Sequence, residues 1–305
     1  MLYDIIIIGS GPAGLTAAIY ASRAQKNVLV IEKETMGGLI THSPKVENYP
    51  GLGLISGLDL ADKMVNHAMD LKVNFEFNEV IKIEKTNDTF TLLCNNGAKF
   101  EGKSVIIATG STHRKLNLDN EEKLTGHGLS YCAVCDGPFY TNKDVAIIGG
   151  GNSAMQEALL LASYCKSVTI IQNLNGFTGE QSLISQINNT PNIKTIFNSV
   201  VVSLNGDSNL SSIIILNQKT NQKDLLEIDG VFVAIGQVAN NEAFKEFVSL
   251  DKQGFINTDE SCCGNISGIY VAGDCRHKSI RQVVTATSDG SIAALQAIKY
   301  LDSLK

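Results

Sequence analysis

The stretch Leu2-Tyr3-Asp4-Ile5-Ile6-Ile7-Ile8-Gly9-Ser10-Gly11-Pro12-Ala13-Gly14 decides how this chain is read. Its apolar, β-branched run predicts a buried strand, and the small-residue stretch Leu15 to Ala24 predicts a helix after the glycines. Gly9 permits the tight turn between them, Gly11 lets backbone approach a pyrophosphate, and Gly14 lets helix and strand pack closely. The helix N-terminus then offers amide donors to the anion. A second strand, Asn27 to Ile31, ends at Glu32, an acid near the ~20 residues downstream expected of a ribose-hydroxyl acceptor. The glycine spacing alone is weakly specific; the strand before, the helix after and the acid together indicate a dinucleotide.

The same plan recurs later. A strand from Val145 to Ile148 leads into Gly149-Gly150-Gly151-Asn152-Ser153-Ala154, a helical stretch to Ser163 and a strand from Ser167 to Gln172. Each βαβ unit is closed by an apolar strand ending in glycine, Val105-Ile106-Ile107-Ala108-Thr109-Gly110 in the first and Val231-Phe232-Val233-Ala234-Ile235-Gly236 in the second. The strand Gly268-Ile269-Tyr270-Val271-Ala272-Gly273-Asp274 and a small-residue helix from about Ser288 to Leu301 are assigned back to the first domain, because a ligand in a doubly wound sheet lies across the carboxyl ends of its strands. The expectation is an α/β protein with two Rossmann-like (three-layer ββα) dinucleotide-binding domains, the second inserted in the first. Residues 1–111 and 242–305 form the first, and residues 112–241 the insertion.

Composition agrees with two ordinary cores. A chain of 305 residues exceeds the size at which one core keeps growing, and 44% hydrophobic with 18% charged residues describes a globular protein. A formal charge of -6 gives no reason to expect nucleic acid, and no apolar run approaches the ~20 residues of a membrane span. The start of the chain lacks a basic n-region and small-residue cleavage site, and the seven cysteines sit in a chain too long to need a disulfide framework. A cytoplasmic protein is expected.

One cysteine pair has informative spacing, in Tyr131-Cys132-Ala133-Val134-Cys135-Asp136-Gly137-Pro138. Two thiols so placed can close a small disulfide, and a depressed thiolate pKa favours exchange with a disulfide of another protein. Tetrahedral zinc is the alternative, but it needs further ligands, and the other cysteines are single except for the adjacent Cys262 and Cys263. No metal is expected. Asp136, beside Cys135, is placed to move the proton of thiol exchange, or else to cap a helix.

Gly9 to Gly14 with Glu32, Lys45-Val46-Glu47-Asn48-Tyr49-Pro50-Gly51, Ala108-Thr109-Gly110, the Cys132-x-x-Cys135-Asp136-Gly137 segment, and Gly273-Asp274 with Arg281-Gln282 together resemble low-molecular-weight bacterial thioredoxin reductase over almost the whole chain. The resemblance implies FAD in the first domain. Gly9, Gly11, Pro12, Ala13 and Glu32 would hold its ADP half, and Gly38, Thr41 and Asn48 would lie along the flavin side, with Ala108, Thr109 and Gly110 also at the cofactor. Gly273 and Asp274 would meet the ribityl chain, and Arg281, Gln282 and Val283 would lie at the isoalloxazine end; Asn48 and Asp274 are also residues that turns favour. It further implies that Cys135 is nearer the flavin, that Cys132 attacks thioredoxin, that Asp136 is the acid and base, that the domains rotate between two states, and that the protein is a homodimer.

The second glycine motif departs from the family. NADPH-dependent relatives carry a His-Arg-Arg-x-x-x-Arg run that grips the 2'-phosphate, where this chain has Gln172-Asn173-Leu174-Asn175-Gly176-Phe177-Thr178. No lysine or arginine lies between Lys166 and Lys194, so a phosphate of roughly two charges finds little compensating field. NADH would favour an acid at the strand end, and Gln172 is neutral. Gly149, Gly151 and Ala154 then serve close packing as readily as binding. The subgroup this suggests is the ferredoxin-dependent flavin thioredoxin reductases, with reduced ferredoxin and not NADPH as donor. Arg276, His277, Lys278 and Arg281, the densest cationic group, offer an acidic ferredoxin a basic surface, unless they are a solvated loop or flavin contacts. An ordinary NAD(P)H-dependent thioredoxin reductase, a flavin disulfide reductase with another protein acceptor, and a non-catalytic redox sensor are the competing readings.

Overall fold

The computed structural model describes residues 1–43 and 45–304, which divide into two compact units, one of residues 1–112 and 238–305 and one of residues 113–237. The first unit opens with β1 (Leu2–Ile8), α1 (Pro12–Arg23), β2 (Val28–Glu32), α2 (Gly57–Asp70), β3 (Asn74–Phe77), β4 (Val80–Thr86), β5 (Thr89–Cys94) and β6 (Lys99–Ile107). The chain leaves it through β7 (Thr112–His113). The second unit contains α3 (Glu121–Leu124), β8 (Leu129–Ser130), α4 (Ala133–Asp136), β9 (Asp144–Ile148), α5 (Asn152–Ala162), β10 (Ser167–Ile171), α6 (Gln181–Asn188), β11 (Ile193–Ile196), β12 (Ser199–Asn205), β13 (Ser212–Asn217), β14 (Lys223–Glu227) and β15 (Gly230–Val233). The return runs through β16 (Gln237–Val238) to β17 (Ile269–Val271) and α7 (Val283–Ser303).

In the first unit β3, β2, β1, β6 and β17 run parallel in that order. Strand β6 is shared: its first half pairs antiparallel with β5, which continues to β4, and its second half pairs with β17. Strands buried on both faces read as unbroken apolar runs, which is why Ile5 to Ile8 and Val105 to Ile107 show no alternation. Chain order reverses between β1 and β6, so a crevice opens at their carboxyl ends. Helix α1 packs on α7 through Ala13, Ala17, Ala18 and Ala21 against Ala286, Gly290, Ala293 and Ala297. The approach is so close that a Cβ on Gly290 would strike the Ala13 carbonyl. That contact carries Gly273 and Asp274 to the first glycine turn.

The second unit repeats the design with a parallel sheet ordered β11, β10, β9, β15, β8 and a separate antiparallel layer, β12, β13, β14. Its duplication with the first unit extends to single atoms. Gly9 (φ +104°) and Gly149 (φ +132°) both turn in the region that disfavours side chains, and a Cβ on either would meet the carbonyl of the facing strand, Ala108 or Ala234. Both α1 and α5 start at a glycine N-cap without a side-chain cap, leaving first-turn amides for another partner.

Candidate functional site

The first glycine turn is an open cradle. A Cβ built on Gly11 meets nothing within 4 Å, Gly38 lies directly against Gly11, and the Gly37 N–H donates to the Ser10 carbonyl at 3.0 Å. Thr41 closes its short helical turn by donating to the Gly38 carbonyl at 2.8 Å. Glu32, buried at the end of β2, accepts from the Ser10 amide and hydroxyl at 2.8 Å each and from the Glu34 amide at 2.9 Å. It therefore shapes the turn and keeps little capacity for a further donor. Gly9 and Ala108 meet at the switch point, Ala13 lies against Gly273, and Thr109 donates to Asn241 at 2.7 Å. At the other end Asn48 donates to Gln282 at 3.1 Å, the residue that caps α7 through a capping box with Thr285 and is followed by Val283. Gly110 turns with φ +68°.

Asp274 supplies a test of fit for FAD. Its Oδ1 is buried without a hydrogen-bond partner, and burial pushes the carboxyl up to about 6 despite the pull of Lys278 and Arg281. An orphaned acceptor beside an open anion cradle suits a ligand that brings both a pyrophosphate and hydroxyl donors, as FAD does. A consequence follows for the flavin-stripped protein. A carboxyl whose folded pKa is raised contributes stability that is full below its ordinary value of 3.8 and lost as pH rises through about 6. Asp274→Asn is thus expected to stabilise the stripped protein at pH 7 to 8 by about 3 kcal/mol, with no gain near pH 4, while weakening flavin binding. Urea unfolding across pH checks it, and equal pH dependence in both proteins would refute it.

The cationic group does not form the free basic surface expected from the sequence. Arg276 is buried, with Nη1 2.7 Å from Asp289 Oδ1, Nε donating to Thr258 Oγ1 and Nη2 to the Asp259 carbonyl. Lys278 Nζ lies 2.8 Å from Asp289 Oδ2, and His277 Nδ1 lies 2.7 Å from Asp251. Arg281 stacks 4.2 Å over the Phe255 ring and donates to the Asp274 carbonyl at 3.3 Å. The physical reason is Asp289: a buried carboxylate on α7 draws in two cations from the preceding loop.

In the second unit Cys132 and Cys135 are joined in a disulfide, their Cα atoms 5.3 Å apart. Cys132 is the N-cap of α4, and its Sγ accepts the Cys135 N–H at 3.2 Å. An amide aimed at that sulfur favours its thiolate once the bond opens. Asp136 ends α4, accepts from the Ser130 hydroxyl at 2.6 Å through Oδ2, and holds Oδ1 buried without a partner. Burial raises its pKa against that hydrogen bond, so Asp136 keeps a proton to higher pH than an ordinary carboxyl. It does not cap α4. Ser130 also accepts from the Cys132 amide at 3.0 Å. Just upstream, Tyr131 stacks on His113 with ring centroids 5.1 Å apart and donates to buried Glu121 at 2.5 Å.

The second glycine turn is braced by its own chain. The loop after β10 folds back so that the Thr178 amide donates to the Gly150 carbonyl at 2.9 Å and the Glu180 amide to Asn152 Oδ1 at 2.7 Å. Buried Gln172 lies across Gly150, where a Cβ would run into its amide, and bonds within its own loop to the Gly176 carbonyl and the Asn173 amide. Gln172 thus holds at Gly150 the place that Glu32 holds at Ser10, while Gly151, the counterpart of Gly11, meets only Thr178 Oγ1 at 3.8 Å.

Two residues at the redox pair escaped the sequence reading. Ser130 carries no motif. Glu157 on α5 has one carboxyl oxygen buried without a partner and bears on the Ala133 backbone; the signal available was a lone acid among Ala154, Ala158 and Leu161 on one helical face.

The pyridine nucleotide-disulphide oxidoreductase family profile matches residues 3–290. A Clostridium pasteurianum protein described as a 34.2 kDa protein in a rubredoxin operon is 44% identical over 98% of this chain and 97% of its own length. A Listeria innocua thioredoxin reductase is 38% identical over 100% of this chain and 95% of its own. The crystal structure of thioredoxin reductase from Streptococcus pyogenes superposes with a TM-score of 0.95 at 38% identity, covering 99% of each chain.

Proposed function

We propose, from the premise that the chain belongs to the pyridine nucleotide-disulphide oxidoreductase family and within it to the thioredoxin reductases, that it reduces thioredoxin with electrons from reduced ferredoxin and not from NADPH. FAD, held by residues 1–111 and 242–305 along Gly9 to Ala13, Gly38, Asn48, Asp274 and Gln282, would supply a reductant that accepts electrons singly and gives them in pairs. The segment 112–241 carries the chemistry of the chain itself. Two electrons and two protons open the Cys132–Cys135 disulfide. The Cys132 thiolate attacks the disulfide of thioredoxin, Cys135 then attacks Cys132 to release the reduced product, and Asp136 carries a proton between thiol and solvent. A cytoplasmic homodimer is the setting we assign to it. Among the described residues no helix is long and apolar enough to cross a membrane.

The observation that carries the donor is the cation-free loop after β10, Gln172 to Thr178. A nucleotide there would find Gly151 open to its pyrophosphate but would need a cation for its 2'-phosphate, and no lysine or arginine lies between Lys166 and Lys194. The relative named for a rubredoxin operon agrees with a small iron protein as electron source. Because Arg276 and Lys278 are engaged inside the fold, the docking face for ferredoxin is not that run. Anaerobic mixing of the yellow protein with NADH, NADPH and reduced ferredoxin in turn provides the test. Bleaching of the flavin by ferredoxin alone is expected; efficient bleaching by micromolar NADPH or NADH, with no response to ferredoxin, means an ordinary nucleotide-dependent enzyme.

A further inference from the structure

Opening a disulfide adds two electrons, so two protons must reach the site or charge accumulates there. Two carboxyls flank the four-residue helix that spans the pair, Asp136 at its end and Glu157 against its first amide, that of Ala133. Each has one oxygen buried without a hydrogen-bond partner. Helix α5 packs on α4, and Glu157 lies among Ala154, Ala158 and Leu161, which share one apolar cluster with Ala133. A carboxylate with a vacant oxygen in such surroundings is poorly solvated, and its protonated form is favoured whenever further negative charge appears nearby.

We propose that Glu157 is a positioning residue for the redox pair, its carboxyl taking up a proton as the disulfide opens and so keeping the charge beside α4 constant. In balance, the disulfide, the Glu157 carboxylate, two electrons and two protons give the Cys135 thiol, the Cys132 thiolate and the protonated Glu157. The electrons are those of the reductase reaction. When the Cys132 thiolate is consumed by an incoming disulfide, Glu157 returns its proton, which leaves on the reduced product.

Glu157 faces the following groups from the elements packed on α5. From α4 come Cys132, Cys135 and Asp136; the turn after it brings Tyr140, whose pKa burial pushes up to about 12. Asp144 on β9 is held below its ordinary value by Lys166 and Ser167 and stays charged. β11 brings Lys194, α6 brings no ionisable group, and Tyr164 and Cys165 after α5 are both raised by burial. Burial pushes Glu157 itself up to about 7, against the Ala133 amide, which places its change of charge at working pH.

The test rests on the pair cycling between disulfide and dithiol and holds whichever donor feeds the flavin. The anaerobic holoenzyme is equilibrated with reduced and oxidised glutathione between pH 7.5 and 8.2, where Glu157 is ionised beside the intact disulfide, and the dithiol fraction is trapped by alkylation and counted. Glutathione delivers two protons with its two electrons. With Glu157 accepting one of them the equilibrium constant is level with pH; without it a proton is released and the constant rises about tenfold per pH unit. The unmutated protein should be level, with Cys132 alkylated fast at pH 7 as a thiolate. Glu157→Gln should rise tenfold per unit, and Glu157→Asp, which restores a titrating carboxyl, should flatten the slope again. A rising slope in the unmutated protein, or equal slopes in it and Glu157→Gln, overturns the proposal, the former even if the variant does not fold. A pair that neither glutathione nor dithiothreitol opens would overturn the reductase reading as well.

Discussion

Cys135→Ser is expected to abolish turnover with thioredoxin, by at least about a thousandfold, while the flavin stays bound and the fold is unchanged. The size of the effect comes from stoichiometry. A lone thiol has no sulfur–sulfur bond to open, so the pair of electrons has no acceptor in the chain. The fold should survive because a disulfide that opens in each cycle cannot be what holds it, and the other Cys135 contact, its amide donating to Cys132 Sγ, is kept by serine. The same contact predicts a second outcome. With Cys135 gone, the Cys132 thiolate can still attack a disulfide but cannot be displaced, so the variant should trap thioredoxin in a mixed disulfide. Cys132→Ser should trap none. Non-reducing gels and steady-state assays measure both, and retained turnover in Cys135→Ser would remove the pair from the mechanism.

What could be read from residue types alone was whatever a single turn imposes. Gly9 and Gly149 are forced by backbone facing a neighbouring strand, so both units announced themselves, and the order of strand, turn, helix and closing strand followed. Helix α7 begins at Val283, before the small-residue stretch that marks it, because Gln282 and Thr285 form a capping box whose first turn holds the β-branched Val283 and Val284. The run Arg276 to Arg281 looked like a surface because its partner Asp289 is a turn and a half into a helix that meets the loop only in three dimensions. Likewise the Ser130 contact with Asp136 and the burial of Glu157 depend on how α4 sits against α5, and a four-residue helix leaves no periodicity to read. Glu32 was found by spacing, but its binding of Ser10 and Glu34 belongs to the folded turn.

Asn173→Arg/Leu174→Arg/Thr178→Arg is expected to raise the rate at which low NADPH bleaches the flavin by about a hundredfold, with ferredoxin-driven turnover nearly unchanged. The three positions are exposed, so the substitutions cost the fold little. They restore cations where NADPH-dependent relatives carry them. A charge-assisted contact is worth about 1.5 to 3 kcal/mol when sheltered, so three could give several powers of ten. Exposure and salt reduce that sum, and two powers of ten is the more realistic gain. Charge is the obstacle these substitutions address, since Gly151, the glycine a pyrophosphate would approach, meets only Thr178 Oγ1 at 3.8 Å. The pattern of the gain tests it. Improvement for NADPH and not for NADH, shrinking as salt rises, means that the missing 2'-phosphate grip was the main barrier. No improvement for either nucleotide would sink that account.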